Sequence, residues 1–191
     1  MLSNKQYFAL KASLPYLKFG EAPVLSHERF MEYCGVFLGR KELEYLQNLS
    51  LQDPGKEPEK GSAEAKFHSF ETALRNALVT FRAKKKGRKA DIFLRENSGS
   101  EADRDMSNLI NLLQNASDAL EREKILDNAR WTFLDEMELG HYADLDALSI
   151  YCRKLLILEK WTQYQKEQAG KNLEETVSTV EKTARKTGKS E

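Results

Sequence analysis

Residues 144–168, "DLDALSIYCRKLLILEKWTQYQKEQ", constrain the fold more than any other stretch of the chain. Leu145, Leu148, Tyr151, Cys152, Leu155 and Leu158 recur at three- and four-residue steps, and Ile157, Trp161 and Tyr164 fill an adjoining strip. The spacing predicts a helix to about Gln168 with Asp144 as its N-cap. An apolar surface this broad requires burial against more than one neighbouring element.

The neighbours are legible in the same periodicity. Phe30, Tyr33, Cys34, Phe37 and Leu38 form the stripe of a helix that Ser26 caps, with Glu28 in its first turn. A short helix with Leu43, Tyr45, Leu46 and Leu49 follows, and Pro54, Gly55, Pro58 and Gly61 then mark residues 52–62 as a solvated loop. Phe67, Phe70, Leu74, Ala77, Leu78 and Phe81 share one face of the next helix, which Gly87 ends. Beyond the polar stretch 97–105, with Ser100 and Asp103 as a box-like cap, two helices are predicted over about 103–117 and 119–138, and Gly140 closes the second. A last polar helix is expected to start at an Asn172–Glu175 capping box and to fray into a charged tail.

No alternating strand pattern appears, so the fold class is all-α: a compact multi-helix bundle ending in an antiparallel C-terminal helical hairpin. Residues 1–170 read as a single helical domain with flexible loops near 52–62 and 97–103, and residues 171–191 as the polar helix and tail. Charged residues make up 31% of the chain, yet the formal net charge is zero, so any electrostatic recognition is local and no nucleic-acid partner is expected from the global field. Lysines at positions 5, 11 and 18 interrupt each early apolar run before it reaches the length of a signal-peptide core, and no run elsewhere has the length of a membrane span. The expected location is the cytoplasm. Cys34 and Cys152, without a CxxC or a nearby histidine pair, read as small buried hydrophobes.

Motifs of catalysis are not assembled. "TGKS" at 187–190 has Thr183 where a phosphate loop needs its first glycine, and only Glu191 follows it. His27, His68 and His141 are scattered, and no GxSxG elbow marks a nucleophile. Asp135, Glu136 and Glu138 read as a solvated helix face. The chain is therefore read as non-catalytic, with no catalytic, cofactor-binding or metal-ligating residue and no cofactor. "RAKKKGRK" at 82–89 places Arg82, Lys84, Lys85, Lys86, Arg88 and Lys89 at a helix C-terminus, where cations complement the helix dipole by ~0.3–1 kcal/mol each. The same six side chains are the candidate interface to an acidic protein, a lipid surface or nucleic acid, although no aromatic residue interleaves them for base stacking.

The segment from Ile125 to Trp161 reads as helix, short turn and returning helix. Its core is assigned to Trp131, Phe133, Tyr151, Leu155 and Trp161. Each tryptophan, burying ~150–250 Å² at ~25 cal/mol/Å², contributes about 4–6 kcal/mol as an upper bound. Tyr142, in the turn, is the aromatic expected on display and joins the candidate interface.

"KQYFALKASLPYLKFGEAPVLSHERFMEYC" and "REKILDNARWTFLDEMELGHYADLDALSIYCRKLLILEKW" together resemble a family of bacterial cytoplasmic proteins, without assigned function, encoded within V-type ATP synthase operons. The order of "LDALSIYCRKLLILEKWTQYQKEQAGKNLEETVSTV" is also similar to the C-terminal part of the C/d component of the V/A-type ATPase central stalk, an all-helical funnel without an active site seated on the membrane rotor ring. The resemblance implies a non-catalytic subunit or assembly factor of a bacterial V-type ATP synthase, a C/d-like coupler whose partners are the shaft and membrane-ring subunits, peripheral on the cytoplasmic face of the inner membrane. The chain is shorter than a full component of that type. The alternative is a helical interaction scaffold unrelated to the ATPase, binding acidic or nucleic-acid partners through residues 82–89.

Overall fold

The computed structural model describes residues 4–51 and 61–187, with side chains over 6–51 and 61–171. The expected loop therefore lies largely outside the described residues, as do the last residues of the "TGKS" stretch. The elements in chain order are α1 (Asn4–Ser13), α2 (His27–Phe37), α3 (Arg40–Gln47), α4 (Ala63–Lys85), a 3-10 turn (Asp91–Phe93), α5 (Ser107–Asn115), α6 (Ala119–Glu138) and α7 (Leu145–Thr187). Among the described residues there is no strand.

α7 is the spine. It packs against α1, α2, α3, α4 and α6, while α5 is held at one remove by α4 and α6. Every residue from Ala147 to Leu158 except Leu156 is buried, so this part of the helix is enclosed on all sides, as its broad apolar surface requires. α6 and α7 form the antiparallel hairpin. Phe133 of α6 stacks on Phe70 of α4 with ring centroids 4.2 Å apart, and Tyr151 of α7 meets Phe30 of α2 at 5.3 Å. The Tyr151 hydroxyl donates to the Pro15 carbonyl at 3.0 Å, so the segment after α1 is tied to the spine.

Local capping chemistry sets most helix starts. Ser26 accepts from the Arg29 N–H, Ser62 from Ala65, Asp118 from Glu121 and Asp144 from Ala147, the last at 2.7 Å. Gly87 and Gly140 end α4 and α6 with φ of +62° and +96°, a backbone region that glycine enters without steric cost. Residues 4–13, assigned no element from the sequence, form α1 because Leu10 and Tyr7 dock into the core even though the helix carries no strong stripe.

Four expectations are corrected. Ser100 does not cap α5; the helix begins at Ser107, whose N–H donates to Asp105 at 2.8 Å, and the Ser100 hydroxyl turns to Glu101. The stretch 97–103 is not a loose loop. Asn76 donates to the Arg95 carbonyl at 2.7 Å and accepts from its N–H at 2.9 Å, Asn97 donates to the Ser69 carbonyl at 2.8 Å, and the Glu101 N–H donates to the Ser69 hydroxyl at 3.0 Å. Together these bonds latch the segment onto α4. No helix starts at Asn172, since α7 runs unbroken through Gly170 to Thr187. One glycine costs a helix interior about 1 kcal/mol, less than the surrounding Lys, Glu, Gln, Ala and Leu recover in propensity. Finally, Trp161 is half-buried, not core: its indole N–H donates to Asp127 at 2.8 Å and its ring meets Tyr164 edge-on where α7 leaves the body. Trp131, Phe133, Tyr151 and Leu155 are buried.

The latch depends on Gly99, where an added Cβ would stand 2.4 Å from both the Cβ and the hydroxyl of Ser69; a Cβ at Gly170 meets nothing within 4 Å. Gly99→Ala is expected to destabilise the fold by about 1–3 kcal/mol, and Gly170→Ala to stabilise it by about 0.5–1 kcal/mol. Denaturant unfolding of the two variants measures both signs.

Candidate functional site

The turn of the hairpin is built by three residues with distinct tasks. Gly140 reverses the chain, Asp144 caps α7 with one carboxylate oxygen, and its other oxygen lies 2.8 Å from Nδ1 of His141. Held this way, the turn leaves Tyr142 74% exposed. Tyr16 is more exposed still, at 89%, but Tyr142 shares a groove of about 480 Å³ with Phe8 of α1 and with Leu139, both exposed as well. Lys11, Asp135, Glu138 and His141 line the rest of it. The result is an aromatic and aliphatic rim over a charged floor. The sequence picked out Tyr142 but not Phe8, since nothing local brings α1 to the turn.

The floor is an ordered ion-pair cluster. Lys154, with 8% of its side chain exposed, reaches Asp135 at 2.6 Å and Glu138 at 2.5 Å, and Lys11 reaches the other Glu138 oxygen at 2.8 Å. Burial by itself raises a carboxyl's pKa; here the hydrogen bonds from Lys11 and Lys154 outweigh it and hold Glu138 below its ordinary value. Both carboxylate oxygens of Glu136 accept from the Nη2 of Arg104, at 2.9 and 2.7 Å, and the same guanidinium lies over the rings of Phe70 and Phe133. Asp135 and Glu136 lie on an exposed face, as expected, and with the partly buried Glu138 they also pair with cations from three other parts of the fold.

A second cluster ties α4, α6 and α7 together. Asp127 is fully buried and accepts from Arg130 at 2.8 Å, from Trp161 and from Lys160, while Arg130 clasps Glu71 of α4 at 2.7 and 3.1 Å. Burial works against the charge on Arg130, but Glu71 and Asp127 more than offset it and keep the guanidinium protonated. Arg153 lies over Phe67 and donates to Glu64 and to the Ser50 carbonyl. These groups hold α4, α6 and α7 in register. Cys34 and Cys152 are free thiols, and burial pushes both up to about 12, far from thiolate at neutral pH. Among the described residues no group of three or more His, Cys, Asp or Glu side chains is placed to hold a metal ion, and no helix is long and apolar enough to cross a membrane.

The basic run stands apart from the turn. Arg82, Lys84, Lys85, Lys86, Arg88 and Lys89 are all exposed around the C-terminus of α4. Lys84 and Lys85 line a groove of about 1050 Å³ between α4 and α5, whose apolar floor includes Ala77, Phe81, Leu94 and Ile110. That groove and the one at Tyr142 have no residue in common. The structure presents two separate candidate surfaces.

Both surfaces combine exposed side chains with a helical body whose buried charges are paired within the fold. The chain belongs to a family described as a protein of unknown function, DUF2764, whose model matches residues 59–184. The matched span runs from the start of α4 almost to the end of α7 and includes the basic run and the hairpin; α1, α2 and α3 precede it. No curated protein and no solved structure matches the chain.

Two outcomes test the assignment of these charges. Asp127→Ala leaves Arg130 with one partner fewer in a buried setting and is expected to cost about 3–5 kcal/mol in denaturant unfolding. The Glu138 carboxylate has a folded pKa below the ordinary 4.5, so its stabilisation is complete above that pH and is lost as pH falls through the lowered value. Unfolding curves collected down the acid limb should accordingly become shallower in pH for Glu138→Gln than for the unaltered chain.

Proposed function

We propose that this protein is a non-catalytic subunit or assembly factor of a bacterial V-type ATP synthase. It works in the cytoplasm, peripheral to the inner membrane, as a C/d-like coupler between the central shaft and the membrane ring. The likeness of residues 5–34 and 122–161 to proteins encoded with that enzyme supplies the partner. The observation that carries the reading is the exposed Tyr142, Phe8 and Leu139 rim, held in place by the ion pairs beneath it. Protein interfaces concentrate their energy in a few aromatic anchors surrounded by polar groups, and this groove has that composition.

A coupler needs a stiff body and a displayed anchor. Lys154, Glu138 and Lys11 join α7, α6 and α1 under the groove, so a load applied at the turn is passed directly to the spine.

Purification of the tagged protein from its native membranes in mild detergent tests the proposal. Shaft and ring subunits are expected to remain bound in fixed ratio; recovery of the free chain, with intact ATPase elsewhere, refutes a stable subunit. Tyr142→Ala is expected to change unfolding free energy by less than about 0.5 kcal/mol and to lower recovery of the partner by about tenfold or more.

A further inference from the structure

The chain that follows the basic run does something its surroundings do not. Ile92 is 82% exposed and Phe93 52%, Leu94 is exposed too, and no residue from Lys84 to Ser100 is buried. Three consecutive large apolar side chains therefore stand in water three residues after the last of six cations. Within residues 82–96 seven cations face only two anions, Asp91 and Glu96.

The helix dipole does not account for this arrangement. Carbonyls of the last turn of α4 are already used by the chain itself, with the Gly87 N–H donating to Lys84 and the Arg88 N–H to Ala83 at 2.9 Å. Arg88 and Lys89 lie beyond that closed end. Among the described residues none of the six cations in the run has an ion-pair partner, whereas Lys11, Arg104, Arg130, Arg153, Lys154 and Lys160 all do. Nor is the apolar segment loose. The Phe93 N–H donates to Ala90 at 2.8 Å to close the 3-10 turn, and the paired bonds between Asn76 and Arg95 fix where the loop returns along α4.

We propose that residues 82–95 dock the protein on an anionic lipid bilayer, with the lysine and arginine heads among the phosphates and Ile92, Phe93 and Leu94 entering the acyl boundary. Charge attraction and buried apolar area are the two components of interfacial binding, and neither is strong enough without the other to hold a folded protein on a membrane. Lysine stems add their own methylenes to the apolar side while the ammonium groups remain in the headgroup layer. A nucleic acid answers the cations but gives Ile92 and Leu94 nothing to bury against, and stacking needs more aromatic faces than Phe93 alone. An acidic peptide in the groove between α4 and α5 covers Leu94, but Ile92 and Phe93 take no part in that lining and stay wet.

Cosedimentation of the full chain with vesicles tests this without any ATPase subunit present, so its failure is distinct from failure of the copurification. Binding is expected to vesicles of equal phosphatidylglycerol and phosphatidylcholine, to weaken with salt, and to be absent from phosphatidylcholine alone. Arg88→Glu with Lys89→Glu should lower binding by about tenfold or more. Ile92→Ser with Phe93→Ser should lower it by about tenfold while leaving its salt dependence in place. All four positions are exposed, and far-ultraviolet circular dichroism confirms that each pair remains folded. Equal binding to the uncharged vesicles, no binding to the charged ones, or unchanged binding by both variants overturns the proposal. So does binding to polyglutamate or DNA in place of vesicles, which assigns the corner to that class of partner.

Discussion

A helix enclosed on all sides has nowhere to hide a charge, and α7 carries two, Arg153 and Lys154, at consecutive buried positions. An unpaired buried charge costs several kcal/mol, so each must be answered by a carboxylate, and the answers come from different elements: Glu64 of α4 for Arg153, Asp135 and Glu138 of α6 for Lys154. One turn further on, Glu159 accepts from the His27 N–H at the start of α2 at 2.6 Å, and Lys160 reaches Glu123 and Asp127. The spine thus fixes the axial positions of α2, α4 and α6 by a charge as well as by packing. Apolar ridges alone permit a helix to slide by a turn; a slid α6 would strand both Lys154 and Asp135.

Such pairs are a poor source of net stability, because desolvation of both ions offsets most of their attraction. Their consequence is uniqueness. The stacked Phe70 and Phe133, and the contact of Phe19 with Trp131 at 5.6 Å, provide the burial, while the ions select which of several similar packings is kept. The density of charge in "RWTFLDEMELGHYADLDALSIYCRKL" is explained on this basis: Asp135, Glu136, Glu138, Arg153 and Lys154 are all partnered within the fold.

Local signals were enough to read α2, α4, α6 and the start of α7, but not α1, the start of α5 or the continuity of α7 through Gly170. Ser26 and Asp144 were recognisable as caps because the chemistry of a cap is contained within four residues, and the bounds of α6 follow from an unbroken stripe between Ser117 and Gly140. What escaped was set at long range. The charged face of α6 is tied into the fold only because Lys154 and Arg104 arrive from elsewhere, and the 97–103 stretch is bonded to α4 only because Ser69, about thirty residues earlier, meets Asn97 and Glu101. Trp161 had the right period for the core and the wrong place along the helix, near the end of the enclosed section. At the candidate surfaces, Tyr142 and the basic run were legible in the sequence, whereas Phe8 joined the turn through tertiary contact and Ile92, Phe93 and Leu94 were not singled out by any periodicity or motif.

Both surfaces set several large apolar side chains in water side by side, whereas Tyr16, Val24 and Val36 stand exposed elsewhere on the body. The enclosed cations of the body are paired; at the end of α4 six cations lie exposed without ion-pair partners among the described residues, close to the uncovered Ile92, Phe93 and Leu94, whereas at the hairpin turn Lys11 and Lys154 are paired and the uncovered groups are Phe8, Leu139 and Tyr142. Local inconsistency of this kind is expected where a sequence is selected for contact with something other than itself. It is not a failure of packing, because the backbone beneath each surface is firmly bonded: Asn76 holds Arg95, Asp144 caps α7, and Lys154 ties α6 to the spine. Exposed apolar groups on a rigid frame lose little further freedom when they are covered, which lowers the entropic cost of binding. The same charged core that fixes the helices therefore also prepares the surfaces.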